Sequence, residues 1–123
     1  MIDFAPLLKK HPGLRLLLLF GSRARGPARE DSDWDFGYLA EPDFDDAALY
    51  ADLVLALKTD RVDLVDLSRA NGLLRYRAAR ENRLLFEAST GVYEGFWLEA
   101  VHFWCENAHL FRDEYDAIIK GLG

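Results

Sequence analysis

Leu14-Arg15-Leu16-Leu17-Leu18-Leu19-Phe20, then Gly21-Ser22, ten further residues, and then Asp33-Trp34-Asp35-Phe36-Gly37-Tyr38-Leu39 decide the fold. The first seven residues are apolar nearly throughout, the pattern of a strand buried on both faces. Gly21-Ser22 ends the run, and Ser22-Arg23-Ala24-Arg25 has room for one helical turn before Gly26-Pro27. Ala28 to Ser32 is polar and reads as a loop. From Asp33 to Leu39 the chain alternates, with Asp33, Asp35 and Gly37 facing one way and Trp34, Phe36 and Tyr38 the other, which is the period of a strand.

Working outward, Ile2, Phe4, Leu7 and Leu8 among polar neighbours mark a short amphipathic helix over residues 2–11 that Pro12-Gly13 ends. Glu41-Pro42-Asp43 is a turn, and Asp43 is an N-cap candidate for a helix to Lys58 with Ala47, Tyr50, Ala51, Val54 and Leu57 on its inner stripe. Arg61 to Leu67 is a third strand, and Ser68 caps a helix to about Arg80 in which Gly72 is a weak spot. Arg83 to Glu87 is a short extended piece and Ser89 to Gly91 a break. Tyr93, Trp97, Ala100, Trp104, Ala108, Phe111, Tyr115 and Ile118 recur every three or four residues, so residues 92–120 form one long helix, with Gly121 available to end it. The expected fold class is α/β (α+β): a small mixed sheet flanked by helices, with a long C-terminal helix.

The chain has 123 residues, half of them hydrophobic and 29% charged, which suits one domain over residues 1–123 with a modest core and argues against disorder. Its formal net charge of −6 disfavours nonspecific grip on nucleic acid, which depends on Lys and Arg neutralising phosphates, so no stable direct nucleic-acid binding is expected. Apolar runs such as Leu16–Phe20 are far too short to span a bilayer, and the N-terminus shows no signal-peptide pattern. Cys105 is the only cysteine, so no intrachain disulfide forms; a cytoplasmic location follows as the expectation, with Cys105 a buried small hydrophobe beside Trp104.

Two acids one residue apart on a strand project from the same face about 6.5–7 Å apart. Like charges that close are unfavourable without a cation, and a donor set of oxygens alone suits Mg²⁺ or Mn²⁺ better than Zn²⁺. A third acid lies in Val62-Asp63-Leu64-Val65-Asp66. Asp63 and Asp66 are three apart and face opposite sides, so one of them can join the pair. Asp63, between apolar residues in mid-strand where an unpaired charge is costly, is the choice, and Asp66 near the strand end reaches solvent or caps the next helix. Two ions about 3.5–4 Å apart can clamp an in-line phosphoryl displacement, so Asp33, Asp35 and Asp63 are the candidate catalytic and metal-binding residues. Gly21 lets the backbone approach a ligand, Ser22 offers a hydroxyl and an N–H, and Arg23 or Arg25 brings positive charge; Gly21, Ser22 and Arg25 form the candidate nucleotide-binding set.

Gly21-Ser22-Arg23-Ala24-Arg25-Gly26 with Ser32-Asp33-Trp34-Asp35-Phe36 resembles the polymerase-β-type nucleotidyltransferase superfamily, and most closely its minimal nucleotidyltransferase members. The resemblance covers residues 14–87. It implies a nucleotidyltransferase-like sheet, two magnesium ions and ATP as substrate. Many such members resemble antitoxins encoded beside a HEPN-domain ribonuclease toxin, and the resemblance implies transfer of AMP from ATP to a tyrosine of that toxin. Trp34 is bulkier than the small apolar residue expected between the acids, which bears on substrate fit. Two other functions are consistent with the sequence: stoichiometric binding of a partner through the aromatic helix, and modification of a small molecule of the aminoglycoside type, for which the chain is short.

Three further features are read as structural. The stripe of Phe96, Trp97, Phe103, Trp104, Leu110 and Phe111 is core, or core with an interface alongside. Arg69, Arg75, Arg77, Arg80 and Arg83 form a solvated face paired with Glu81 and Glu87, with Arg25 and Arg29 adding positive charge near the turn. His102 and His109 lie two helical turns apart, too far for one metal.

Overall fold

The structure, a computed structural model, describes residues 4–26 and 32–121, with side chains described up to residue 110. In chain order it forms α1 (Ala5–Leu8), β1 (Leu14–Phe20), α2 (Ser22–Arg25), β2 (Trp34–Ala40), α3 (Asp46–Leu57), β3 (Val62–Asp66), α4 (Gly72–Arg80), β4 (Asn82–Glu87) and α5 (Val92–Gly121). Most of the loop expected at residues 28–32, Arg29 included, and the side chains of Phe111, Tyr115 and Ile118 lie outside the described residues.

The sheet is mixed, in the order β3-β2-β1-β4. β1 runs antiparallel to both β2 and β4, while β2 and β3 are parallel, joined over one face by α3. β1 is central, which is why its sequence shows no alternation. Leu17 and Leu19 pack toward α1 and α3 with Phe36, Leu49 and Leu53. Leu16, Leu18 and Phe20 pack toward α4 and α5 with Ala78, Phe96 and Ala100. Both faces need apolar residues, so the strand reads as a continuous run.

Several local expectations shift. α3 is capped by Asp45, whose carboxylate accepts from the Ala48 N–H at 3.1 Å, and not by Asp43. Its inner residues are the fully buried Leu49 and Leu53, whereas Ala47, Tyr50 and Ala51 are exposed. Nearly every position of this helix is apolar, so periodicity does not select the face, and the sheet takes the larger leucines. α4 is capped by Asn71, which accepts from Leu74 N–H at 2.8 Å. Ser68 instead donates its N–H and hydroxyl to Asp66 at 3.0 and 2.6 Å, a local turn that competes with capping. Gly72 is no weak spot: a Cβ there would overlap the ring of Phe103, so the glycine lets α4 and α5 approach.

The stripe on α5 is partly core. Phe96 and Ala100 are buried, and Trp104 stacks on Tyr76 of α4 at 4.6 Å, while Leu98 and Leu110 are exposed. Cys105 is exposed, contrary to the sequence reading, because it lies on the side of α5 turned away from α4. His102 pairs with Glu106 at 3.1 Å. The arginines are less uniformly solvated than their spacing suggests: Arg75 pairs with Glu99 at 3.2 Å and packs its guanidinium toward Phe96, and Glu81 is taken by Arg25. Among the described residues no helix is long and apolar enough to cross a membrane.

Candidate active site

The site begins where β1 stops. Gly21 has φ 77 and ψ −156, a conformation closed to residues with a side chain, and a Cβ there would overlap Asp35 Oδ2. The backbone of the Gly-Ser turn therefore lies directly against an acid of β2. α2 follows at once, tied to the turn by an Ala24 N–H donated to the Gly21 carbonyl at 3.1 Å.

Strand register assembles the acids. Phe20 opposes Asp35 across β1 and β2, and Asp35 opposes Asp63 across the parallel β2 and β3. Asp35 and Asp63 therefore share a face, close enough for the Asp63 charge to bear on the Asp35 carboxyl. Asp33 stands one residue before β2 and is exposed, as is Asp63, while Asp35 is half-buried. Burial pushes the Asp35 carboxyl above its usual range; Arg77 opposes that shift, and the charges of Asp63 and Asp33 add to it.

Asp66 falls elsewhere, as alternation requires. It opposes Tyr38 on the other face. Tyr38, bonded to Asp46 at 3.2 Å, is pushed up to about 12 by burial and by Asp66 and Asp46. Contrary to the expectation from sequence, the cost of burying a charge does not select Asp63. β3 is an edge strand and Asp63 its exposed second residue, so no buried charge is at stake; register alone brings it to Asp35.

The cations divide into two groups. Arg25 pairs with Glu81 at 3.4 Å. Arg23 donates from Nε and Nη2 to the Ser32 carbonyl at 3.1 and 2.9 Å and lies 4.1 Å over the Trp34 ring. Trp34 stacks on Phe36 on the face away from Asp35, so its bulk does not intrude between the acids. Arg77, read from sequence as part of a solvated face, instead reaches this site from α4. Its guanidinium lies 5.7 Å from the Phe20 ring, and its Nε is buried without a hydrogen-bond partner. The signal was its place one helical turn after the buried Leu73, on the inner side of α4.

Three carboxylates with unbalanced charge are a hard-oxygen donor set suited to Mg²⁺. Among the described residues no group of three acidic, His or Cys side chains stands at metal-holding spacing. The donor chemistry, with Asp35 and Asp63 in register on one face and Asp33 just before β2, fits a divalent cation.

Comparison with known proteins agrees with this geometry. Residues 3–91 match the family model described as polymerase beta, nucleotidyltransferase. A curated relative, the protein adenylyltransferase MntA of Aphanizomenon flos-aquae, is 29% identical, with 73% of this chain and 68% of that protein covered. A crystal structure of a toxin–antitoxin pair with AMP-PNP superposes with a TM-score of 0.74 at 28% identity, covering 95% of this chain and 96% of that one. A tri-AMPylated Shewanella oneidensis HEPN toxin in complex with its MNT antitoxin gives 0.67 at 25% identity, again covering 95% and 96%. The mixed four-stranded sheet, its helices and the long α5 are those of the MntA structures. With the Gly-Ser turn against Asp35 and Asp63 in register beside it, the chain belongs to the polymerase β nucleotidyltransferase family.

Proposed function

We propose that this nucleotidyltransferase moves AMP from ATP to a tyrosine hydroxyl of a HEPN-fold toxin and thereby acts as its antitoxin in the cytoplasm. The observation that carries the reading is the contact of Gly21 with Asp35, which brings a phosphate-sized backbone turn to the edge of the carboxylate cluster. The similarity to a protein adenylyltransferase, and to an antitoxin bound to an AMPylated HEPN toxin, supports the choice of acceptor.

In this reading the Gly21-Ser22 backbone and hydroxyl hold the triphosphate, with Arg25 able to exchange Glu81 for a phosphate oxygen. Magnesium, held by Asp33, Asp35 and Asp63, would neutralise the triphosphate and make the acceptor oxygen more acidic. The tyrosine oxygen attacks the α-phosphorus, the bond from that phosphorus to the bridging oxygen breaks, and pyrophosphate leaves with the bonding pair. Tyrosine has an ordinary pKa near 10, so the proton needs an acceptor. Asp63, exposed on an edge strand, is accessible to a side chain presented by another protein. Arg77 balances charge behind Asp35. An exposed Cys105 without a disulfide partner suits a reducing compartment.

The test is incubation with ATP labelled at its α-phosphate, magnesium and a HEPN-fold toxin from the same organism. Label should appear on the HEPN protein and vanish with Asp33→Ala, Asp35→Ala or Asp63→Ala, and with Tyr→Phe at the acceptor. Unlabelled partner with wild type, or neutralisation that persists in the triple Asp→Ala protein, overturns the proposal in favour of binding alone.

A further inference from the structure

α2 has only four residues, too few to hold its own position, since one helical turn cannot offset the entropy of ordering it. What locates it must come from outside. Arg23 supplies such an anchor: its Nε and Nη2 both donate to the carbonyl of Ser32, and its guanidinium carbon sits 4.1 Å from the Trp34 ring centroid. Ser32 immediately precedes Asp33, and Trp34 lies between the two acids. The Trp34 ring is fixed from below by stacking on the fully buried Phe36, and the Trp34 backbone N–H donates to the Arg61 carbonyl at 2.9 Å at the entry to β3. One side chain thus links the turn after β1 to the start of β2, and through it to the strand that carries Asp63.

We infer that Arg23 is a positioning residue, which clamps the Gly21-Ser22 turn to the Ser32–Trp34 corner so that phosphate turn and carboxylates keep one fixed separation. Trp34 is the platform of that clamp. The inference rests on the nucleotidyl-transfer reading above and adds a role to residues which that reading leaves unused. It also explains a tryptophan between two acids: its ring serves the far face of the strand, where a flat surface for a guanidinium is needed. Lysine cannot replace Arg23, because it has neither the planar fork that meets one carbonyl twice nor the plane that stacks on an indole.

The experiment compares wild type, Arg23→Lys, Trp34→Leu, the double variant and Trp34→Phe in labelling of the HEPN-type protein, with Tm measured for each. Misplacement of reacting groups by about 1 Å costs on the order of 100-fold. Arg23→Lys and Trp34→Leu should each lower kcat on that order with KM for ATP little changed, the double variant should be no worse than either, and Trp34→Phe should recover most of the rate. Wild-type kcat in Arg23→Lys, multiplicative losses in the double variant, or an effect confined to KM (the mark of a direct phosphate contact) would each overturn the clamp. A second readout is independent of catalysis. In protein carrying Trp97→Phe and Trp104→Phe, Trp34 is the remaining tryptophan. Arg23→Lys should shift its emission to the red and raise its quenching by iodide; an unchanged spectrum overturns the clamp even if no AMP transfer is found, and transfer without the clamp's signature leaves the transferase reading standing.

Discussion

Replacing Gly21 by alanine separates backbone strain from the contact with Asp35. At φ 77 and ψ −156 a residue with a Cβ is strained by about 1–3 kcal/mol. The new methyl also overlaps Asp35 Oδ2, so either the turn moves away or the Asp35 side chain rotates. For a chain of 123 residues, 1 kcal/mol corresponds to about 3–6 °C of Tm, interpolating between smaller and larger domains, so the backbone term alone predicts a fall of roughly 3–18 °C. Displacement of turn or acid adds a loss of about 100-fold in AMP transfer if the two must stay in place within 1 Å. The assay is a thermal melt with labelling of the HEPN-type partner, repeated in an Asp35→Ala background. Removing the carboxylate removes the overlap but not the strain, so Gly21→Ala should cost less Tm there than in wild type. Equal costs in both backgrounds would refute the claim that the turn lies against Asp35. A Gly21→Ala protein as stable and active as wild type would refute the whole description of the turn.

Four other outcomes are expected of this molecule. Asp35 has a folded pKa raised above its ordinary 3.8, so its stabilising contribution is fully present below that value and is lost as pH rises through the folded pKa. Asp35→Asn, which cannot ionise, should therefore melt above wild type at neutral pH without magnesium, and the gap should close on acidification and on adding magnesium to wild type. Leu53→Ala empties a fully buried site under the sheet and should cost about 2–5 kcal/mol in chemical denaturation, whereas Leu55→Ala on the exposed side should stay within about 0.5 kcal/mol. Lys58 ends α3 at φ 57, so Lys58→Gly should stabilise the protein by up to about 1 kcal/mol. Gly72→Ala should destabilise through the Phe103 ring, and Phe103→Ala should relieve much of that cost.

The sequence by itself determined the order of elements and the faces taken by Asp35, Asp63 and Asp66. Alternation is local, so Trp34 to Leu39 revealed which side chains share a face without knowledge of any neighbour, whereas Asp33 precedes the strand. The same rule separated Asp63 from Asp66. Only the tertiary structure decided which strand lies beside which, and hence that Asp63 comes to Asp35 by register on an exposed edge and not by the cost of burying it in mid-strand. It also decided the partners of the arginines. Arg25 meets Glu81, Arg23 meets Trp34, and Arg77 lies by Phe20 with its charge felt at Asp35. A long cationic side chain can swing toward several partners, and its choice depends on packing that no spacing encodes. The inner face of α3 was undetermined for a related reason: where nearly every residue is apolar, the sheet it covers selects the face.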